Sequence, residues 1–317
     1  MDMSGNLNVR ARGKRPKGVL GVGWASIESA AQGRTEHRPI VIDYPENVIR
    51  RTTIEAGANL GWRLSALITP RPKPAPWKIV VVTGTPSWAE YWAPVMAALP
   101  PDREMVVVDR PGFAGSEPDL CVPDIRVQAR ALSSLLTKAR GQKILLVGQS
   151  YGAAVATLMA ADHPRQVDEL ALVSSYLGEQ GATARWLVRL GSRFLNVLPR
   201  DLRHAVMEAD GHAAQMPLMR AALARLRIPV HLIHGDQDDF APIEVARRLS
   251  LEAPTRRPIR FEEVAGATHF LNDGPVDALI SALEACIPQS PPRFVWTWPK
   301  LSLSLNNRSG AGLRLPA

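Results

Sequence analysis

The 317-residue sequence predicts an α/β fold with a doubly wound, mostly parallel sheet and a short helical cap insertion. Three observations support this prediction. Short apolar runs alternate with longer amphipathic stretches, which is typical of strand–helix–strand units. Several of these runs are apolar at nearly every position, as strands buried on both faces of a parallel sheet require. One interval, from Tyr176 to Leu226, interrupts the alternation with helix-like signals alone.

Two β-prone runs, Val48–Ile54 and Trp62–Ile68, flank the turn-forming residues 56–59 and predict a hairpin. The alternating prolines of residues 70–76 predict an extended connector, because proline excludes helix and favours polyproline II. The strands predicted after it are Ile79–Thr83, Met105–Asp109, Ile144–Gly148, Leu170–Ser174, Val230–His234 and Ile259–Val264. The helices predicted between them are Trp88–Leu99, Ile125–Ala139, Gly152–His163, Ile243–Leu251 and Pro275–Cys286.

The interval without strand signals lies between two predicted strands, near their carboxyl ends, where a lid over a site is found in such sheets. Its helical stretches are Ala182–Val197 and Arg200–Arg227, with Pro199 and Pro217 as breaks. The predicted organisation is a loosely ordered basic segment at 1–45, one domain at 46–286 with a helical cap at about 176–227, and a basic tail at 287–317.

The composition is that of a globular protein. Hydrophobic residues make up 46% and charged residues 21%, which excludes disordered and collagen-like chains. The sequence contains no run of 18 apolar residues, so no membrane-spanning helix is predicted. The two cysteines, Cys121 and Cys286, are too few for a disulfide framework, so we expect free thiols in a reducing compartment and a cytoplasmic location.

The net charge of +8 is concentrated in the two tails. Residues 1–38 carry +4 and residues 287–317 carry +4, whereas residues 39–286 are neutral. No nucleic-acid motif accompanies the charge, so we expect no nucleic-acid partner. Weak peripheral contact with an anionic membrane is one interpretation of the basic tails, and solvated termini are the other.

A candidate nucleophile lies in the sequence Gly148-Gln149-Ser150-Tyr151-Gly152, a G-x-S-x-G motif. It follows an apolar run and precedes small residues, which is the strand–turn–helix context of a nucleophile elbow. In such a turn the serine adopts an unfavourable backbone conformation, and side chains at the flanking glycines would clash with the neighbouring strand and helix. The motif therefore predicts Ser150 as the nucleophile, with a glycine-rich turn and an idle serine as the alternative.

A serine hydroxyl needs a general base that an acid orients. Asp238 follows the predicted strand Val230–His234, and His269 follows the predicted strand Ile259–Val264 after a loop of small residues. None of the other six histidines has that position. His231 and His234, three apart on a strand, are predicted to face opposite sides and to pack in the core.

With Ser150, Asp238 and His269 in this chain order, the sequence resembles the α/β-hydrolase superfamily from about Ile79 to Cys286. Residues 235–242 fit the family's acid segment, G-x-x-D-x-x-x-P. The resemblance implies that Asp238 is the acid, with Asp236 and Asp239 as adjacent competitors for that role. Asp236 is expected to shape the turn and Asp239 to face away. We expect no cofactor and no metal.

The resemblance also implies two oxyanion-hole donors, the backbone N–H groups of Tyr151 and Thr85. Thr85 lies in the loop after the strand Ile79–Thr83. The family usually has His-Gly in this loop, where the sequence has Thr83-Gly84, so any bracing role of that histidine is missing. Residues 109–116 are similar to the family's D-x-x-G-x-G-x-S turn, for which a structural role is expected.

These residues together predict a serine hydrolase that cleaves a carboxylic ester, with an amide or thioester as the second choice. The expected substrate is a small molecule with an apolar acyl group. Four aromatic residues are predicted to line the acyl pocket, with ordinary core packing as the alternative: Trp88, Phe113, Phe240 and Phe270. Carbon–carbon bond hydrolases, perhydrolases and aminopeptidases use the same triad, and a non-catalytic ligand-binding protein is a further alternative. For an aminopeptidase, Glu208 and Asp210 are the candidate partners of a substrate ammonium. The sequence predicts no oligomeric state.

Overall fold

Eight strands form one sheet in the computed structural model, which describes residues 44–273 and 276–288. The strands are β1 (Arg50–Glu55), β2 (Arg63–Ile68), β3 (Trp77–Val82), β4 (Arg103–Val108), β5 (Lys143–Gln149), β6 (Glu169–Val173), β7 (Val230–Gly235) and β8 (Arg260–Val264). Their order in the sheet is β1-β2-β4-β3-β5-β6-β7-β8. The pairs β1–β2 and β2–β4 are antiparallel and the others are parallel, which confirms the mostly parallel sheet.

The hairpin predicted before the parallel strands is the pair β1–β2. Its register runs from Arg50 opposite Ile68 to Glu55 opposite Arg63. Ala58 and Asn59 in the connecting turn have φ angles of 57° and 55°, a left-handed conformation that suits a tight reversal of the chain. The six predicted strands that follow are all present, and each boundary lies within two residues of its prediction.

Helices cover both faces of this sheet. They are α1 (Ala93–Ala97), α2 (Ile125–Ala131), α3 (Gly152–Asp162), α4 (Ala182–Arg193), α5 (Arg200–Gly211), α6 (Met216–Arg225), α7 (Ile243–Glu252) and α8 (Val276–Ala285). The stretch expected as one helix at Trp88–Leu99 is instead a 3₁₀ turn, Ala89–Trp92, followed by α1. Pro94 lies in the first turn of α1, and because proline has no N–H to donate, it begins a helix and does not continue one.

The apolar residues of the central strands alternate between two cores. Val80 and Val82 of β3 pack in one core with residues of α2, α3 and α6. Ile79 and Val81 of the same strand pack in the other core with residues of α1 and α8. Both faces of the sheet are therefore buried, which explains why these strands are apolar at most positions.

The interval between β6 and β7 contains the helices α4, α5 and α6. Pro199 is the N-cap of α5, and Pro217 lies in the first turn of α6, so both prolines mark helix starts. Helix α4 packs closely on α5, because a Cβ at Gly191 would lie 2.5 Å from Val206 Cγ2. Helix α6 adds buried residues to the core beside α3.

The described residues up to Ile287 belong to one compact unit. Within the described ranges, no helix is both long and apolar enough to cross a bilayer. Cys121 and Cys286 are free thiols. The predicted basic tails, 1–45 and 287–317, lie almost entirely outside the described residues.

Candidate active site

Ser150 lies in the turn between β5 and α3, and its φ angle is 51°, in the left-handed region that side chains disfavour. The flanking glycines make this turn sterically possible. A Cβ at Gly152 would lie 2.3 Å from the carbonyl oxygen of Val82, and a Cβ at Gly148 would lie 2.7 Å from Ala153 Cα. The sequence G-x-S-x-G thus lets helix α3 approach both its own strand and β3 closely.

Three distant segments of the chain meet at this turn. His269 Nε2 lies 3.0 Å from Ser150 Oγ, and His269 Nδ1 lies 2.8 Å from Asp238 Oδ2. With Nδ1–H donating to the carboxylate, Nε2 is free to accept the serine proton, which is the arrangement that general-base catalysis requires. Ser150, His269 and Asp238 are only 8%, 7% and 8% exposed, so this relay is shielded from water.

The carboxylate of Asp238 has partners on both oxygens. Oδ1 accepts hydrogen bonds from the backbone N–H groups of Phe240 and Ala241, at 3.0 and 2.8 Å. His234 Nε2 lies 3.1 Å from Oδ2, the oxygen that His269 also contacts. Burial alone would raise the pKa of Asp238, but the imidazoles of His269 and His234 outweigh it and hold the pKa well below its ordinary value.

His234 is buried in the core, as predicted, and it also has a contact with the site that was not predicted. It is fully buried, as a core residue would be, but its ring contacts the carbonyl oxygen of Ala241 and the carboxylate of Asp238. His231 faces the other side of β7 and contacts Glu169 Oε2 at 2.9 Å. The only sequence signal for this contact is the spacing, since His234 precedes Asp238 by four residues.

The two neighbouring aspartates do not contact His269. Asp236 Oδ1 accepts a hydrogen bond from the backbone N–H of Gly266, which links the turn after β7 to the turn after β8. Asp239 Oδ2 accepts a hydrogen bond from Thr183 Oγ1 at the start of α4. Among the three aspartates, Asp238 alone is placed to orient the imidazole.

The loop after β3 lies against the nucleophile. A Cβ at Gly84 would lie 3.0 Å from Ser150 Cβ and 3.6 Å from Ser150 Oγ, so Thr85 follows directly after the point of contact. Tyr151 is the N-cap of α3. Within the described part of the chain, neither the Thr85 nor the Tyr151 N–H has a backbone acceptor. Both groups therefore remain candidates for binding an oxyanion, as predicted.

The four aromatic residues predicted for the pocket lie in two places. The rings of Phe240 and Phe270 contact the His269 ring, with centroids 5.3 and 5.2 Å away, and they also contact each other at 5.2 Å. Trp88 instead donates a hydrogen bond from Nε1 to Asp201 Oδ2, and Phe113 packs edge-on against His204. Trp88 and Phe113 thus contact helix α5 of the insertion, and their role in an acyl pocket stays a prediction.

A buried hydrogen-bond chain connects the nucleophile turn to the loop that carries His269. Gln149, just before Ser150, accepts from Trp92 Nε1 at 2.8 Å and donates to Asn272 Oδ1 at 2.7 Å. Asn272 in turn donates to the carbonyl oxygen of Tyr91. Because Asn272 lies three residues after His269, this chain ties the base to the nucleophile at a second point.

A buried ion pair that no sequence pattern indicated lies beside the site. Arg110 and Glu208 have fully buried side chains, and Arg110 Nη1 lies 2.7 Å from Glu208 Oε1. Arg110 also donates to the carbonyl oxygens of Thr83 and Gly84 in the loop after β3. Glu208 is therefore already neutralised, which argues against its role as the ammonium partner of an aminopeptidase. Among the described residues, no group of three or more His, Cys, Asp and Glu is placed to hold a metal ion.

The sequence comparisons agree with this geometry. The sequence model of the alpha/beta hydrolase fold family matches residues 78–219. A protein of Pseudomonas savastanoi pv. phaseolicola named "Putative carbamate hydrolase RutD" is 24% identical over 235 residues, which are 62% of this chain and 89% of that protein. A protein of the same name from Escherichia coli O157:H7 is 30% identical over 109 residues, 34% of this chain and 41% of that protein.

Solved structures share the fold at low sequence identity. A 2-hydroxy-6-oxo-6-phenylhexa-2,4-dienoate hydrolase from Rhodococcus sp. strain RHA1 aligns with a TM-score of 0.59 and 19% identity, over 75% of this chain and 98% of that chain. A thermophilic esterase from Thermogutta terrifontis aligns with a TM-score of 0.58 and 18% identity, over 74% and 97%. At this identity the likeness shows the fold alone.

Proposed function

Because the chain has the α/β-hydrolase fold and its residues 78–219 match the family model, we propose that it is a serine hydrolase that cleaves a carboxylic ester. The observation that carries this proposal is the His269 ring, which lies within hydrogen-bond distance of both Ser150 Oγ and Asp238 Oδ2. A nucleophile, a base and an orienting acid in contact are what acyl transfer through an acyl-enzyme requires.

In the proposed reaction, Ser150 Oγ attacks the ester carbonyl carbon while His269 Nε2 takes the hydroxyl proton. Asp238 stabilises the imidazolium that forms, and the N–H groups of Thr85 and Tyr151 bind the oxyanion. His269 then gives its proton to the departing alkoxide, which leaves as the alcohol. Water attacks the acyl-enzyme with His269 again acting as base, and the carboxylic acid leaves as Ser150 regains its proton.

The closed and partly aromatic surroundings favour a small substrate. Ser150 is only 8% exposed, and the rings of Phe240 and Phe270 lie against His269. Apolar pockets with a few polar groups are typical of small-molecule sites. We therefore favour an ester with a short, apolar acyl group over a long-chain lipid.

Carbamate cleavage is the second candidate. It is favoured by the name of the Pseudomonas savastanoi relative, which aligns with 62% of this chain. A carbamate offers the same carbonyl carbon to Ser150, so the triad geometry serves either substrate. The two candidates differ in the group attached to that carbon, which lies on the acyl side of the site.

The experiment that tests the proposal is labelling with a fluorophosphonate probe combined with a substrate series. We expect the probe to label the native protein and not the Ser150→Ala variant. We expect turnover of p-nitrophenyl esters to be highest for the shortest acyl chains. Higher kcat/KM on p-nitrophenyl carbamates would favour the second candidate, and a protein that neither binds the probe nor turns over substrate would contradict both.

A second variant tests the assigned base. His269→Gln keeps the size of the side chain but removes the proton acceptor, so we expect kcat to fall at least about 100-fold while the protein stays folded by circular dichroism. Unchanged turnover in a folded His269→Gln variant would refute the assignment of His269.

A further inference from the structure

We propose that helix α5 of the insertion positions the oxyanion-hole loop, because Glu208 holds Arg110 against the peptide that carries the Thr85 N–H. His212, which directly follows α5, packs on the ring of Tyr151, the second donor residue. This inference rests on the proposed function, because it assigns positioning residues to the same site. It makes the insertion part of the catalytic apparatus as well as a cover over it.

Arg110 holds the peptide that carries the Thr85 N–H. Arg110 Nη2 donates to the carbonyl oxygen of Gly84 at 2.7 Å, and Arg110 Nε donates to that of Thr83 at 2.9 Å. The Gly84–Thr85 peptide is trans, so its C=O and N–H point in opposite directions. Because Arg110 holds the Gly84 carbonyl oxygen, the Thr85 N–H points away from the Arg110 side chain. The same loop lies against the nucleophile, since Gly84 is close to Ser150.

Glu208 links this loop to the insertion. Glu208 on α5 pairs with Arg110 through both oxygens, at 2.7 and 2.8 Å, and both side chains are fully buried. Thr85 Oγ1 donates to the same carboxylate at 2.7 Å. Because a buried guanidinium without its counter-ion is strongly destabilised, Arg110 can hold the loop in place only while Glu208 is docked.

The insertion also contacts Tyr151, the residue of the other donor, through His212. His212 follows Glu208 by one helical turn, and its ring lies between those of Tyr151 and Tyr176, with centroids 4.4 and 4.6 Å away. Its Nε2 lies 2.9 Å from the carbonyl oxygen of Tyr176. Burial lowers the pKa of His212 to about 4, so the ring is neutral near pH 7 and Nε2–H donates this bond. The Arg110 guanidinium also lies over the Tyr151 ring, 4.6 Å from the ring centroid.

This arrangement supplies the bracing that a histidine before Gly84 would otherwise provide. Thr83 stands at that position, and its Oγ1 contacts Ser87 Oγ and the carbonyl oxygen of Val108. Within the described part of the chain, the Thr83 side chain makes no hydrogen bond to the insertion. The long-range bracing of the loop thus passes through Arg110 and Glu208, which are 98 residues apart in the sequence.

The test compares Glu208→Gln and Thr85→Val with the native enzyme. Glu208→Gln keeps the side-chain size but removes the charge that holds Arg110, and Thr85→Val removes the hydroxyl contact while leaving the ion pair. We expect kcat on a p-nitrophenyl ester to fall about tenfold or more in each, with KM little changed, because an oxyanion hole acts only in the transition state. The affinity for a phenylboronic acid, which forms a tetrahedral adduct on serine, should fall in parallel.

Two further variants serve as controls. Glu179→Gln removes an exposed carboxylate of the same insertion, which pairs with the exposed Arg248, and should leave kcat, KM and boronic acid affinity unchanged. Thr85→Ser keeps the hydroxyl and should lose much less activity than Thr85→Val. If Glu208→Gln does not fold, Thr85→Val decides the question by itself.

Native kcat and native boronic acid affinity in a folded Glu208→Gln and in Thr85→Val would overturn this inference and leave the proposed function standing. An increase in KM at constant kcat would also overturn it, because that result indicates ground-state binding. A native protein without turnover, probe labelling or boronic acid binding would overturn the proposed function and this inference with it.

Discussion

The backbone of Ser150 is held in its unfavourable conformation by contacts that do not involve its side chain. A left-handed φ costs about 1–2 kcal/mol for a residue with a Cβ. The Ser150 N–H donates to the carbonyl oxygen of Val173, and its own carbonyl oxygen accepts from the N–H of Tyr176. Because these bonds survive removal of the hydroxyl, Ser150→Ala should leave the turn intact, which makes it a clean test of the nucleophile.

Asp238 makes the site sensitive to acid in a predictable direction. The imidazoles of His269 and His234 overcome the effect of burial and keep its folded-state pKa below the ordinary value. A carboxyl group with a lowered folded-state pKa contributes stability that is complete above the unfolded-state pKa, about 3.9, and is lost as the pH falls toward the folded-state value. The contribution therefore falls by at most about 1.4 kcal/mol per pH unit.

We expect the Asp238→Asn variant to lose less free energy of unfolding than the native protein between about pH 5 and about pH 3. Asparagine does not titrate, so this part of the pH dependence disappears. Urea unfolding at each pH measures it, with Asp210→Asn as control, because Asp210 is exposed and has no ion pair within the described residues. Equal slopes in all three proteins would contradict the assigned pairing of Asp238 with the two imidazoles.

At this scale, the site residues that sequence reasoning could find are those with local signals. Ser150, Asp238 and His269 each follow the end of a strand, and a short segment around each is enough to identify it. The partners Arg110 and Glu208 are different, because nothing near Glu208 in the sequence says that its helix docks on the loop after β3. Such a contact depends on the packing of the whole insertion.

Helix α3 illustrates how single glycines determine the position of an element. Gly152 in its first turn lies so close to β3 that a Cβ would come within 2.3 Å of one carbonyl oxygen and 2.5 Å of the next. Both neighbours are backbone atoms at the end of the central strand β3, in its last residue and in the residue that follows, where a shift would disturb the sheet. The close approach also fixes how far Ser150 projects above the strand ends.

We expect Gly152→Ala to lower the free energy of unfolding by about 1–3 kcal/mol, as overpacking a close contact does. It should also reduce kcat, since the helix must shift and Ser150 with it. Gly211→Ala is the matched control, because a Cβ there meets nothing within 4 Å and the backbone is not left-handed. Denaturant unfolding measures both, and equal stability of the two variants would contradict the importance of this contact.

The central strands were predictable as elements because burial on both faces makes them apolar at most positions. The helical boundaries were less so. At Trp88–Leu99, apolar residues suggest one helix, but Pro94 lacks the N–H that a continuous helix needs, and a 3₁₀ turn precedes α1. In the insertion, Pro199 and Pro217 marked the helix starts, whereas the docking of α5 on Arg110 and the loop after β3 depends on contacts that no local pattern records.

At the scale of the whole molecule, the basic residues in excess lie at the two ends of the chain, which the composition alone does not show. The net charge of +8 belongs to residues 1–38 and 287–317, and the region that contains the candidate site is neutral. Because residues 39–286 carry no net charge, we expect attraction to an anionic surface to come from the tails. Basic residues contribute about 1 kcal/mol each near an anionic bilayer, which makes binding by a few of them weak and sensitive to salt.

We therefore expect the full chain to cosediment with vesicles that contain phosphatidylserine at low ionic strength, and to be released at about 1 M salt, where the Debye length is about 3 Å. A chain that spans residues 39–288 should not bind, and the cut after Pro288 keeps Ile287, which is buried in the core. Vesicles of phosphatidylcholine alone serve as the control for both chains. Binding by the shortened chain would place the contact on the folded surface, and no binding by the full chain would mean that the tails are simply solvated.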